Sequence, residues 1–299
     1  MLAIVIPYYK LSFFKETLDS LANQTDKRFK VFIGDDASPE NPTDLLGKYQ
    51  GKFDFVYHRF EKNLGGTSLV QQWERCIALS DNEKWIMILG DDDYLGETVV
   101  TSWYENYNLF VEKSNVIRFA SRLIYEDEKK VSEVYLHPVW EKSTDSFYRN
   151  FLGKSRSSLS EHIFRRISFQ KNHFHDFPMA WHSDDRAWLE FSEFNIIYTI
   201  NEAFVSIRVS DESVTGKKDN LESKNKAKEL FYRDLVFSKL SHFNTIQKRG
   251  LLLEYGIIAK EQNQLNLENC FYIAFQLARI GSVYTLAKFM RRIFKAKFK

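Results

Sequence analysis

A chain of 299 residues with 44% hydrophobic and 16% aromatic content can build a globular core, with room for one large domain and a smaller appendage. Only 12 Gly and 5 Pro argue against disorder and against a turn-dense all-β architecture, and a net charge of +2 makes no global case for nucleic acid or membrane binding. Cys76 and Cys270 form neither a metal spacing nor a disulfide framework. The opening Met1-Leu2-Ala3-Ile4-Val5-Ile6-Pro7 lacks the basic start and long apolar stretch of a signal peptide, so a cytoplasmic setting is expected.

The first third alternates between strand and helix. Residues 3–6 read as a strand ended by Pro7, and 14–22 as a helix with Leu18, Leu21 and Ala22 on one side. Residues 29–33 form a second strand that runs into Gly34-Asp35-Asp36. A helix over 42–49 is opened by Asn41 as cap and Pro42 as its first residue. A third strand over 53–57 and a helix over 68–79 follow. Trp85-Ile86-Met87-Ile88-Leu89 is a fourth strand, since five apolar residues in a row are too few for a helix core. Such alternation with short connections means an α/β fold with a parallel sheet and crossover helices.

After Gly96 the pattern becomes α+β: a helix over 98–111, and a strand over 116–125 that pairs with 131–136 around Asp127-Glu128-Lys129-Lys130. Strands over 158–164 and 196–208 flank a short helix over 183–194. From residue 221 glycine and proline nearly vanish, and helices are expected over 221–243, 249–264 and 267–298, the last broken near Gly281. The polar run 211–225 is the expected linker, which divides the chain into an α/β domain over 1–215 and a helical region over 216–299.

The fourth strand leads straight into Gly90-Asp91-Asp92-Asp93. Acids at the C-terminal end of a parallel strand sit where open α/β sheets bind ligands. Three neighbouring negative charges repel unless something positive neutralises them, and a hard divalent cation does that well. An isolated run of this kind is more often a solvated acidic turn. Here, however, Asp35-Asp36 closes the second strand and Pro7-Tyr8-Tyr9 the first, and in a parallel sheet all three project from one edge. An aromatic ring, a carboxylate able to accept a pyrimidine imide N–H and a metal-binding acid cluster together suit a nucleotide diphosphate.

On these residues the chain resembles the family 2 glycosyltransferases of GT-A fold. The matching features are Ile6-Pro7-Tyr8-Tyr9-Lys10, Gln24-Thr25, Asp35-Asp36-Ala37-Ser38, Asn63-Leu64-Gly65 and Leu89-Gly90-Asp91-Asp92-Asp93. The resemblance covers roughly residues 1–100 and implies a Rossmann-like mixed sheet with a C-terminal helical extension. It implies that Pro7 and Tyr9 flank the nucleobase, that Asp36 binds its uracil-like edge and that Asp91 lies near the ribose. Asp92 would hold the Mn²⁺ or Mg²⁺ bridging the diphosphate, with Asp93 in support. Gly90 replaces the first acid of the family's DXD motif, so Asp91 and Asp93 can alternatively act as the motif one residue out of register.

Inverting sugar transfer also needs a general base for the acceptor hydroxyl. The family places this Asp in an acidic pair at a helix start, matched by Trp181-His182-Ser183-Asp184-Asp185-Arg186-Ala187-Trp188. Spacing to Trp188 favours Asp184, the simple acidic pair favours Asp185, and the same sequence suits an ordinary helix cap. Arg208 can close over the donor diphosphate or pair with Asp211 or Glu212. Residues 157–162 can line the acceptor side, whereas His173, His175 and Asp176 lack further ligands at metal spacing.

No acid follows Glu268, and the tail sorts Leu286, Phe289, Met290, Ile293 and Phe294 from Lys288, Arg291, Arg292, Lys295 and Lys299. Such a basic amphipathic helix suits either docking on the protein or peripheral contact with an anionic membrane, here the cytoplasmic face of an inner membrane. The expectation is a metal-dependent inverting transferase moving sugar from a nucleotide-diphospho-sugar, a UDP-sugar first, to a glycan or lipid-linked saccharide acceptor. The resemblance implies a setting in bacterial surface-polysaccharide assembly. Rivals are a degenerate sugar-nucleotide-binding scaffold and a nucleotidyltransferase, though Pro7-Tyr8-Tyr9-Lys10 is no glycine-rich phosphate loop.

Overall fold

The alternation of the first unit is realised as β1 (Leu2–Tyr8), α1 (Phe14–Ala22), β2 (Phe29–Asp35), α2 (Thr43–Gly47), β3 (Asp54–Arg59), α3 (Leu69–Ile77) and β4 (Trp85–Ile88). Then come β5 (Tyr94–Leu95), α4 (Val99–Phe110), β6 (Val116–Tyr125), β7 (Lys130–Val131), β8 (Trp140–Lys142), α5 (Ser143–Phe151), β9 (His162–Arg165), α6 (Arg166–Asn172), α7 (Ser183–Phe191) and β10 (Ile196–Val209). The computed structural model describes residues 1–210, 220–281 and 283–297, the last helix by backbone alone at 283 and from 292 onward. Of the expected linker over 211–225, residues 221–225 are helical and 211–219, with Asp211 and Glu212, lie outside the described residues. So do the side chains of Arg292, Ile293, Phe294, Lys295 and Lys299. The chain divides into two compact units, Met1–Asp219 and Asn220–Lys299.

The strands form one mixed sheet in the order β3-β2-β1-β4-β9-β6-β10-β5. β1, β2, β3 and β4 are parallel, β9 runs against both β4 and β6, and β10 runs parallel to β6. The C-terminal ends of β1, β2, β4, β6 and β10 thus share one edge, to which the segment entering β9 also returns. This is the GT-A-type mixed α/β arrangement.

Successive side chains of β1 point to opposite faces, and both faces are covered. Leu2, Ile4, Ile6 and Tyr8 pack with Phe14 and Leu18 of α1 and with Trp103 and Phe110 of α4. Ala3 and Val5 pack with Trp73 and Cys76 of α3 and with Trp188 and Phe191 of α7. Each fully buried large apolar side chain contributes roughly 1.5–3 kcal/mol, so the central strands are fixed from both sides.

Pro7 does not end β1, as the sequence suggested, but pairs in register with Gly34 of β2. Leu89 N–H donates to the Val5 carbonyl on one side, and Asp36 N–H donates to the Tyr8 carbonyl on the other. Pro7 therefore faces the side that β4 has already left, where a missing N–H costs nothing. The expected strand over 158–164 shortens to His162–Arg165, because Glu161 accepts from Ser158 N at 2.8 Å and from its hydroxyl, holding the serines in a loop. Helix α7 stops at Phe191, short of the expected 194, where Glu193 and Phe194 take left-handed backbone angles.

The second unit contains α8 (Leu221–Asp234), α9 (Thr245–Glu261), α10 (Leu267–Arg279) and α11 (Val283–Lys297). The single helix expected over 221–243 passes after α8 into a π turn over Leu235–Lys239 and a 3₁₀ turn over Leu240–His242. Helix α9 begins earlier than residue 249, because Asn244 and Gln247 form a capping box. The expected break near Gly281 is present: α10 ends at Arg279 and Gly281 has φ +70°.

Candidate active site

The shared strand edge opens into a cavity of about 510 Å³. Pro7, Tyr9, Lys10 and Phe13 line it from the end of β1, and Gly90, Asp91, Asp92 and Asp93 from the end of β4. Leu69 and Trp73 of α3, Ser157 to Ser160 ahead of β9, Ile207 and Arg208 of β10, and residues 179–182 with Asp184 and Asp185 complete most of its wall. The edge that topology marks as ligand-binding thus gathers most of the residues singled out from sequence.

The three adjacent acids are not equivalent. One carboxylate oxygen of Asp91 accepts from Tyr9 N at 2.7 Å and Lys10 N at 2.9 Å, tying the end of β1 to the loop after β4. Thr17 Oγ1 of α1 donates to the Asp91 and Asp93 carbonyls at 3.1 and 2.8 Å. Asp93 is buried and accepts from Ser160 Oγ at 2.5 Å and Arg208 N at 2.8 Å; burial pushes its pKa up to about 6. Among the described residues the Asp92 carboxylate has no side-chain hydrogen-bond partner; its own backbone N–H and the nearby Arg208 charge act on it. Burial first, then the charges of Asp93 and Asp91, hold it well above the usual carboxylate range.

Gly90 has a packing reason. A Cβ there would lie 3.0 Å from both Asp92 Oδ1 and Asp93 Oδ2, while its N–H donates to Ser160 Oγ at 3.1 Å. An acid at this position would add both bulk and a fourth negative charge to a crowded corner. The oxygen-only donor set and an Asp92 carboxylate with no side-chain partner among the described residues fit a hard divalent cation. Among the described residues no group of three or more His, Cys, Asp and Glu could hold a metal by itself.

Asp36 does not line the cavity. Its oxygens accept from Leu64 N at 2.7 Å and Gly65 N at 2.9 Å, fixing the Asn63-Leu64-Gly65 turn, and from the Arg75 guanidinium, which lies over the Phe60 ring. Its neighbour Asp35 is fully buried and accepts from Ser38 N, Tyr57 Oη and Arg59. Arg208 reaches the cavity wall but is engaged: Nε donates to the Asp92 carbonyl at 3.1 Å, both terminal nitrogens pair with Glu16 and Glu126, and Phe13 lies 3.9 Å beneath it. Its pairing with Asp211 or Glu212 falls outside the described residues. Both glutamates are far more exposed than the arginine, so an incoming anion can displace them at small cost.

Across the cavity, Asp184 and Asp185 stand in the first turn of α7. Asp185 Oδ2 lies 2.8 Å from His182 Nδ1, and its N–H donates to Asp184 Oδ1 at 2.9 Å. Burial, then the neighbouring Asp185 charge, push the Asp184 carboxyl well up. The geometry separates the pair: Asp185 has a side-chain partner, whereas Asp184 accepts from the Asp185 backbone N–H.

Several wall residues had no signal in sequence. Met179, Ala180 and His182 all adopt left-handed angles, at φ 57°, 55° and 68°, in a strained approach to α7 that no glycine announces. Leu69 and Trp73, inside the helix expected over 68–79, carried no site signal in sequence, yet they line the cavity. His173 and Asp176 are used within the fold, beside Glu74 and Ser68 respectively.

The family model described as Glycosyl transferase family 2 matches residues 3–162, more than half of the chain. No curated protein matches it in sequence. Among solved structures, S. aureus TarS 1-349 in complex with UDP-GlcNAc is similar at TM-score 0.65 and 15% identity, over 93% of this chain and 80% of that one. S. aureus TarS gives TM-score 0.62 and 16% identity over 94% of this chain and 49% of that one. TarS 1-349 in complex with UDP gives 0.57 and 15% over 98% and 91%. At such identities the likeness is one of fold.

Proposed function

The chain belongs to glycosyl transferase family 2, and from that premise we propose that it moves a sugar, with inversion, from a UDP-sugar to a hydroxyl of a saccharide acceptor. One observation carries the reading: a single cavity is lined both by Tyr9 and Asp92 and by the Asp184–Asp185 pair. The UDP-GlcNAc and UDP found in the TarS structures support a uridine donor.

Pro7 and Tyr9 flank the base, and Asp91 fixes Tyr9 through its backbone. Asp36 reaches the base edge once Arg75 releases it; otherwise it acts by holding the 63–65 turn. Asp92 would hold Mn²⁺ or Mg²⁺, with Asp93 supporting that corner through Ser160 and Arg208; when bound, the cation neutralises diphosphate charge. Because Asp92 has no side-chain hydrogen-bond partner among the described residues, it is the carboxylate of the three that would hold the ion. Arg208 exchanges Glu16 and Glu126 for diphosphate oxygens. Asp184 accepts the proton of the acceptor hydroxyl as its oxygen bonds to the anomeric carbon and the bond to the diphosphate breaks. Asp185, held by His182, keeps Asp184 ready to take that proton.

Titrating UDP- and GDP-sugars with and without Mn²⁺, while following thermal stabilisation and UDP release, tests this reading. Stabilisation by a UDP-sugar that needs Mn²⁺, with UDP released on addition of acceptor, is expected. Stabilisation without transfer or hydrolysis would favour the scaffold reading, and no stabilisation by any nucleotide would sink the proposal.

A further inference from the structure

Helix α10 buries one face and, among the described residues, leaves the opposite one exposed. Cys270, Ile273 and Leu277 are buried within the second unit, while Leu267, Phe271, Phe275 and Arg279 follow one another at four-residue steps on the other side. The three apolar side chains are 72%, 74% and 55% exposed, and Arg279 is exposed in line with them. Single exposed apolar residues are ordinary, but a row of three large ones along one helix face marks an interaction surface.

From sequence alone, the apolar contact fell on the last helix. The structure adds a second surface beside it. Phe289 of α11 is 4% exposed and seated against α9, where a Cβ on Gly256 would come within 2.9 Å of the Phe289 ring. Helix α11 commits Phe289 to the fold while Met290 stays half exposed and the side chains of Ile293 and Phe294 lie outside the described residues, so the apolar row that the described residues show exposed is the one on α10.

Charge selects the partner. Glu268, exposed in the first turn of α10, is the last acid; residues 269–299 then carry seven Lys and Arg and no Asp or Glu, and Arg279, Lys288 and Arg291 are exposed, so the segment is net basic. A second copy docked on the same stripe would bring two such segments together, which like-charge repulsion opposes. An anionic bilayer supplies the opposite charge together with an acyl boundary that accepts phenyl rings. Among the described residues no helix is long and apolar enough to cross a membrane, which fits a helix lying flat.

We propose that the α10 face of Leu267, Phe271, Phe275 and Arg279 docks on an anionic phospholipid surface, with the rings at the headgroup–acyl boundary and the basic segment at headgroup level. Apolar insertion and basic attraction are the paired signals that reversible peripheral attachment needs. The proposal is independent of the transfer reaction, since vesicle binding is measured without donor or acceptor.

The test is flotation of the full chain with vesicles of phosphatidylcholine alone and of phosphatidylcholine with phosphatidylglycerol. Binding to the anionic vesicles only, weakened by high salt, is expected. F271S/F275S should lower that partitioning by about tenfold or more while leaving the melting temperature near that of the parent chain, because both rings are exposed. Should that variant misfold, F271W with brominated lipid gives a second measure, where quenching beyond that of the parent chain is expected. No binding, equal binding by the folded serine variant, absent extra quenching, or a dimer in light scattering that F271S/F275S abolishes would each overturn it.

Discussion

Three consecutive carboxylates at 91–93 are divided by their hydrogen bonds into two anchors and one open ligand. Asp91 fixes the backbone of Tyr9 and Lys10, Asp93 fixes Ser160 and Arg208, and Asp92, a cavity-lining residue, is held by no other residue's hydrogen bond among the described residues. The same logic splits Asp184 from Asp185. In the proposed role of base Asp184 would work only when ionised, and its pKa is raised. Turnover should therefore fall as pH drops through a value well above the ordinary carboxylate range, earlier than for an unperturbed Asp. Asp184→Asn should lower kcat by about 10²–10⁴-fold and remove that limb, with donor affinity retained. Asp185→Asn removes the neighbouring charge that helps raise Asp184, so its acid limb should move to lower pH with a smaller loss of rate. A pH–rate profile of both variants checks this, and equal, mild effects would reject the site.

At the scale of elements, capping and chain reversal set boundaries that hydrophobic periodicity blurs. Strands β1, β2 and β4 were legible as short apolar runs because they are covered on both faces. Helix α7 and the π turn after α8 were legible only as helical stretches, since Glu193, Phe194 and the wide turn at Leu235–Lys239 leave no compositional mark. Helix α9 owes its start to Asn244, whose side chain accepts from Ile246 N and Gln247 N at 3.0 Å each. Asn244→Ala should destabilise the second unit by about 1 kcal/mol. A lowered denaturation midpoint with unchanged slope would show it, whereas an unchanged midpoint would mean that packing alone sets the helix start.

For the whole molecule, the acid corner links stability, pH and ligand. Asp91, Asp92, Asp93 and Asp184 all have folded pKa values raised by burial, so the folded state binds their protons more tightly than the unfolded state. Their stabilising contribution is full below the ordinary carboxylate range and is lost as pH rises from about 4 past about 6, the value for Asp93. Without divalent cation the melting temperature should fall across that window, and UDP with Mn²⁺ should restore more of it at pH 8 than at pH 5. A pH-independent response to UDP and Mn²⁺ would contradict that coupling. The sequence alone determined the parallel αβ start, the family and the residues that close each strand, because buried runs, turn acids and strand ends are local patterns. Only the tertiary structure decided that Asp36 serves the 63–65 turn, that Arg208 is held by Glu16 and Glu126, and that Asp184 rather than Asp185 lacks a side-chain partner. Those roles depend on which groups meet across more than twenty residues of chain or on one turn of strained backbone, and no local pattern encodes such meetings.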